Sequence, residues 1–199
     1  HTVIAEEGTE LCKLSDNIRV VRVPKDVMQS VSLMDAPQGA IFLCRLPAET
    51  EPRLTPGTLL LDGIQDPGNL GTILRTADAL EVPIVLLDGC ADAYNPKTVR
   101  ASMGAVFRTQ PQHLTREAAV AACREAGIPL LATAMSSDAA DLREADLGAS
   151  AVIIGSEGQG ICQTLFDAAE QKIIIPMSPR CESLNAAVAA TIVMWQMKR

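Results

Sequence analysis

An α/β fold, a mostly parallel sheet flanked by helices, is predicted from three observations. Apolar runs rich in Leu, Ile and Val recur at Thr58–Leu61, Val82–Leu87, Pro129–Ala134, Ala151–Ile154 and Ile173–Ile175, and near-continuous apolarity marks strands buried on both faces. Between several of them lie segments with apolar residues at helical spacing, such as Ile73, Leu74, Ala77 and Leu80; strands that alternate with helices build parallel sheets. Three strands also run straight into loops crowded with glycine and polar side chains, after Leu61, Ile154 and Ile175. Open parallel sheets bind ligands beyond such strand ends.

Taken in order, residues 1 to about 56 alternate short apolar and charged runs, close on a strand-like Ala40–Leu46 and read as incomplete. Pro47, Pro52 and Pro56 then give a linker composition. Residues 1–52 are therefore assigned to a partial N-terminal domain with its linker, and 53–199 to the main domain. The first residue is His1 rather than methionine, so further sequence upstream is expected. In the main domain, Asp62–Gly71 forms a loop with three glycines and a proline before a helix, and Asn95–Ala101 a short basic helix. Val106–Thr109 is expected to be extended. A helix from Thr115 to Ala126 stops at Gly127, where a C-terminal glycine belongs. A helix at Ile161–Ala169 leads to the strand Ile173–Ile175, which Pro176 ends. Leu184, Val188, Ile192 and Trp195 mark the last helix, with Ser183 expected at its N-cap.

Composition narrows the chemistry. Hydrophobic residues make up 48% of 199, which excludes disorder, and the net charge of −7 gives no basic surface to grip nucleic acid by charge alone. The six cysteines, Cys12, Cys44, Cys90, Cys123, Cys162 and Cys181, are scattered without zinc-site spacing and read as reduced cytosolic thiols. No apolar run approaches a membrane span and nothing resembles a signal peptide. His1 and His113 are the only histidines, too few for a metal site or a serine–histidine hydrolase. Gly155-Ser-Glu-Gly-Gln-Gly160 has dinucleotide-like glycine spacing, yet it lies late in the chain, no acidic residue ends the following strand, and no lysine with Ser/Thr closes a P-loop. What the loops do carry is Asn69, Arg75, Glu157, Ser183 and Asn185, amide, hydroxyl and charged groups able to orient a neutral hydroxyl. By spacing alone Arg75 also suits a surface pair with Asp78 or Glu81.

Three stretches together resemble the motifs of the SpoU family of RNA ribose 2′-O-methyltransferases, in the SPOUT class, in order and spacing. They are Asp66-Pro-Gly-Asn-Leu-Gly-Thr-Ile-Leu-Arg-Thr-Ala77, Ile154-Gly-Ser-Glu-Gly-Gln-Gly-Ile161, and Ile175-Pro-Met177 with Glu182-Ser-Leu-Asn-Ala-Ala-Val-Ala189. Asn95–Gly104 is similar to a further family segment. Ser32–Gly39 resembles the end of the family's N-terminal RNA-recognition domain, so residues 1–52 would be its remnant.

The resemblance implies a SPOUT fold with a C-terminal deep trefoil knot, S-adenosylmethionine held among the knot loops, a homodimer formed through the knot region, a cytoplasmic location and no metal. Arg75, Asn69, Glu157, Ser183 and Asn185 would be the catalytic set. Thr133, Gly155, Glu157, Gly158, Ile175, Met177 and Leu184 would hold the cofactor. Arginine stays protonated, so Arg75 is expected to position and stabilise charge rather than remove a proton. Pro179 departs from the family, which commonly has glycine there, and proline fixes φ and removes an N–H, so the turn from Met177 to Glu182 is expected to differ. The function implied is methyl transfer to a ribose 2′-hydroxyl, in ribosomal RNA because of the N-terminal remnant. The same chemistry on transfer RNA, an inactive methyltransferase-like RNA-binding protein, and a nucleotide-dependent oxidoreductase stand as alternatives.

Overall fold

The structure, a computed structural model, describes residues 1–34, 36–48, 52–136, 138–156, 158–178, 180–181 and 183–199. The chain divides into two compact units, His1–Ala48 and Glu49–Arg199.

The first unit is a three-stranded sheet with one helix. Strands β1 (Thr2–Glu6) and β2 (Arg19–Val23) pair in parallel, and β3 (Ala40–Leu43) pairs antiparallel on the other side of β1, giving the order β2-β1-β3. Helix α1 (Lys25–Val31) buries Met28 completely, while Val3 and Ala5 supply the buried side of β1.

The second unit holds a seven-stranded sheet in the order β6-β5-β4-β9-β7-β10-β8, with every pairing parallel. Its strands are β4 (Leu59–Asp62), β5 (Ile84–Leu86), β6 (Gln112–His113), β7 (Leu130–Thr133), β8 (Ala140–Asp141), β9 (Ala151–Gly155) and β10 (Gln171–Ile174). The helices are α2 (Pro67–Leu80), α3 (Pro96–Ala101), α4 (Val106–Thr109), α5 (Arg116–Ala126), α6 (Gln163–Ala168) and α7 (Ala186–Met197).

Strand period separates two cores. Leu59, Leu61, Ile84, Leu86, Val152 and Ile154 pack on one side with α2 and α7; Leu60, Val85, Ala151 and Ile153 pack on the other with residues of α5 and α6. Both faces are dry, which is why these strands read as unbroken apolar runs. A fully buried leucine such as Leu60 contributes about 1.5–3 kcal/mol of burial. One close approach is fixed by glycine: a Cβ at Gly71 would lie 2.5 Å from Ala101 Cβ and 2.6 Å from the Thr98 carbonyl oxygen, so only Gly71 lets α2 meet α3 this closely.

Helix starts follow local chemistry. Asp66 accepts from the Asn69 amide at 2.7 Å with Pro67 leading α2, and Asn95 accepts from the Lys97 amide at 2.9 Å with Pro96 leading α3. Thr115 caps α5 through the Ala118 amide, and Gly127 closes it at φ 65°.

Four expectations are corrected. Val106–Thr109 is a helical turn, α4, rather than an extended segment; Gly104 at φ 82° turns the chain into it, and Ala105 already has helical φ and ψ. The cap of α7 is Asn185, which accepts from the Ala187 and Val188 amides at 3.0 and 3.3 Å, so Ser183 lies two residues before it. Strand β10 ends at Ile174, one residue earlier than Ile175 and two before Pro176. Arg75 pairs with neither Asp78 nor Glu81. Asp78 is engaged by Arg108 at 2.5 Å, because α4 lies against α2 and brings Arg108 alongside.

All six cysteines are free thiols. Among the described residues no helix is long and apolar enough to cross a membrane, and no cluster of His, Cys, Asp and Glu has the arrangement of a metal site.

Candidate active site

Strands β9, β7 and β10 are neighbours, and beyond their carboxyl ends opens a cavity of about 500 Å³, within the ~300–1,000 Å³ typical of small-molecule pockets. Its walls come from five stretches: Thr133–Ser136 at the end of β7, Ile154–Ser156 with Gly160 and Ile161 at the end of β9, Gln163 and Phe166 of α6, Ile175 and Met177 after β10, and Ser183, Leu184, Ala186 and Ala189 around the start of α7. Ile154, Ile173, Ile175, Leu184, Ala186 and Ala189 make much of the surface apolar.

The loop after β9 is a tight hairpin. The Ser156 amide donates to the Gly160 carbonyl at 3.1 Å, and the Gly160 amide donates back to Ser156 at 3.0 Å. A Cβ at Gly155 would lie 2.5 Å from the Ile161 nitrogen and closer still to the Gly160 carbonyl group. Glycine is therefore required at 155 for the hairpin to fold back on its own strand. Farther along, the Cys162 amide donates at 2.7 Å to Oδ2 of Asp62, the last residue of β4, which is 2% exposed. Asp62 Oδ1 accepts from Arg116 Nε at 2.8 Å, and that bond holds the guanidinium pKa above its ordinary value.

Of the residues expected to hold a cofactor, Thr133, Gly155, Ile175, Met177 and Leu184 line this one cavity, as does Ser183 from the catalytic set. Thr133 Oγ1 is committed to the Ile153 carbonyl at 2.9 Å. Gly158 is exposed and lies outside the lining, with nothing within 4 Å of where a Cβ would stand. Glu157, Pro179 and Glu182 lie outside the described residues.

Asn69 and Asn185, 116 positions apart in sequence, meet: Asn185 Nδ2 donates to Asn69 Oδ1 at 3.0 Å, tying the start of α2 to the start of α7. The two helices also pack against each other. Arg75 is on the exposed side of α2 and makes no hydrogen bond or ion pair with any described residue.

Several lining residues escaped sequence reasoning, chief among them Met135, Ser136, Gln163 and Phe166. Nothing local marks them, because their role depends on β7 lying between β9 and β10. Ser136 Oγ is buried and lacks a hydrogen-bond partner of good geometry, although it is near enough to Asp138 to hold that carboxyl below its ordinary value. A hydroxyl on a largely apolar wall suits a ligand that brings its own polar atoms.

Residues 56–195 match the model of the SpoU rRNA Methylase family. The chain is 32% identical over 186 residues to 23S rRNA (guanosine(2553)-2′-O)-methyltransferase RlmP of Bacillus subtilis, covering 93% of this chain and 75% of that protein. A TrmH-family structure from Porphyromonas gingivalis superposes with a TM-score of 0.84 at 34% identity, covering 100% of this chain and 82% of that one. The SpoU methyltransferase AviRb from Streptomyces viridochromogenes, solved in complex with AdoMet, gives 0.81 at 27%, covering 100% and 81%. Sequence, fold and the three glycine- and polar-rich strand ends agree, and the chain belongs to the SpoU rRNA methylase family.

Proposed function

We propose that this protein transfers a methyl group from S-adenosylmethionine to a ribose 2′-hydroxyl of ribosomal RNA. The observation that carries the proposal is the single cavity where Thr133, Gly155, Ile175, Met177, Ser183 and Leu184 converge, immediately before the Asn69–Asn185 pair. Family membership and the AdoMet complex of AviRb support it.

The residues present fit the cofactor. Ile154, Ile173 and Leu184 supply apolar walls, and Ser136 and Ser183 supply hydroxyls on the same lining. When bound, S-adenosylmethionine supplies an electrophilic methyl group on a sulfonium. The chain's task is then to hold an attacking oxygen in line at ~3 Å. Asn69 and Asn185 fix the entrance of α2 against that of α7, and two helix N-termini favour oxygen atoms carrying partial negative charge. Arg75, without an ion pair among the described residues and permanently cationic, would take an RNA phosphate or stabilise the developing alkoxide. Ser183 on the cavity wall completes this set, together with Glu157.

Residues 1–52 serve as an RNA-recognition module with its linker, and 53–199 as the catalytic domain. The C-terminal segment is tied in a deep trefoil knot, a reading supported by β9 entering between β4 and β7 and β10 between β7 and β8, inside strands laid down earlier. The protein works in the cytoplasm as a homodimer through α7, whose Val188 and Trp195 are 48% and 61% exposed although the helix is apolar on every side.

The test is transfer of tritiated methyl from S-adenosylmethionine to ribosomal and transfer RNA, with the product nucleoside identified by mass spectrometry. A 2′-O-methylated nucleoside in ribosomal RNA is expected, and Arg75→Ala is expected to abolish it while cofactor affinity stays within a few-fold. Methylation of transfer RNA alone would reassign the substrate. Binding of both RNAs without transfer would favour an inactive RNA-binding protein.

A further inference from the structure

Asp62 is the one acidic residue among the buried polar and charged side chains of the described chain, and no step of methyl transfer uses it. It ends β4, in register with Gly155 of β9, the glycine from which the cavity hairpin folds back. Its two carboxylate oxygens are divided. Oδ2 accepts from the Cys162 amide at 2.7 Å, directly after Gly160 and Ile161, which line the cavity. Oδ1 accepts from Arg116 Nε at 2.8 Å, while Arg116 Nη2 donates to the Asp88 carbonyl at 3.1 Å and the Arg116 amide to Asp88 Oδ2 at 3.0 Å. Arg116 is the first residue of α5, on the opposite side of the sheet from α2 and α7.

We propose that Asp62 is a positioning residue for the cofactor site, clamping the returning arm of the 156–162 hairpin through the Cys162 amide while Arg116 locks the carboxylate in place. The inference rests on the cavity being the S-adenosylmethionine site. Its physical basis is selective. A neutral residue at 62 could pack in the sheet, but only an acceptor reaching Cys162 satisfies that amide, and a buried unpaired N–H is costly. The carboxylate in turn stays buried only because the guanidinium faces it. The hairpin is thereby pinned at both ends, by the close approach at Gly155 and by this bond at Cys162.

The experiment compares wild type, Asp62→Ala and Asp62→Asn in the full chain, by calorimetry with S-adenosylmethionine and by hydrogen exchange of the Cys162 amide without cofactor. Asp62→Ala is expected to lose protection at Cys162 and to weaken cofactor binding about tenfold, the worth of one charge-assisted hydrogen bond, with KM for RNA unchanged. Asp62→Asn keeps an oxygen for the amide and loses the ion pair. It is expected to restore Cys162 protection and most of the affinity while melting below wild type, and it reports even where Asp62→Ala does not fold. Cofactor affinity that follows melting temperature across the variants, with Cys162 protection unchanged, would overturn the assignment. Absence of cofactor binding by folded wild type, with Cys162 protected as described, would instead overturn the cofactor reading and the inference with it.

Discussion

Replacing Gly155 with alanine should open the cavity beyond β7, β9 and β10. The added Cβ would lie 2.5 Å from the Ile161 nitrogen and nearer still to the Gly160 carbonyl, all of it backbone that cannot rotate aside. Restoring an ordinary ~3.5 Å separation moves Gly160 and Ile161 by about 1 Å. Both residues line the cavity. The shift also strains the two Ser156–Gly160 hydrogen bonds, each worth about 1 kcal/mol, and the bond from Cys162 to Asp62. Overpacking of this kind costs ~1–3 kcal/mol, and at ~2–4 °C per kcal/mol for a domain of this size the melting temperature should fall by roughly 2–12 °C. S-adenosylmethionine affinity should fall by about tenfold or more. Gly158→Ala is the control: nothing lies within 4 Å of its Cβ, so stability should change by less than ~0.5 kcal/mol. Scanning fluorimetry and calorimetry read both quantities. Gly155→Ala with unchanged melting temperature and affinity would show that the hairpin is not closed against its strand, and the derivation of this wall would fail.

Two further expectations follow from α7 and from the core. Val188→Glu with Trp195→Glu should convert a dimer to a monomer in light scattering, since both side chains are exposed on an otherwise apolar helix; a monomer mass for the wild type would refute it. Burial pushes the Cys123 thiol up to about 11 from 9.0, with Glu170 adding to the shift. A raised folded-state value means the thiol's contribution is fully present below about pH 9 and is lost as pH rises towards 11. Urea melts across that window should show stability falling. At pH 8, a thiol reagent should label exposed Cys12, Cys44 and Cys181 well before Cys123.

Five strands of the second unit, β4, β5, β7, β9 and β10, were legible because burial on both faces leaves no polar alternation to decipher: Leu59, Leu60 and Leu61 face different cores yet are equally apolar. The two-residue edge strands β6 and β8 were not, being too short to carry a pattern. The starts of the helices at Asn95 and Thr115 were legible because capping chemistry is local. Ser183 looked like a cap for the same reason. The structure gives that place to Asn185, since either residue type satisfies the pattern and only the path from β10 to α7 chooses between them. Val106–Thr109 misled because four residues are too few to show a period.

By itself the sequence determined the parallel α/β class, the order of its longer strands and helices and the three polar strand ends, all of which follow from spacing along one chain. The tertiary structure decided which ends share a cavity. Strand order places β7 between β9 and β10, bringing Met135, Ser136 and Phe166 to the wall, and the pairing of Asn69 with Asn185 and of Asp62 with Arg116 and Cys162 joins residues 54 to 116 positions apart. Such contacts depend on how strands are laid side by side, and hydrophobic pattern is the same for any order of equally apolar strands.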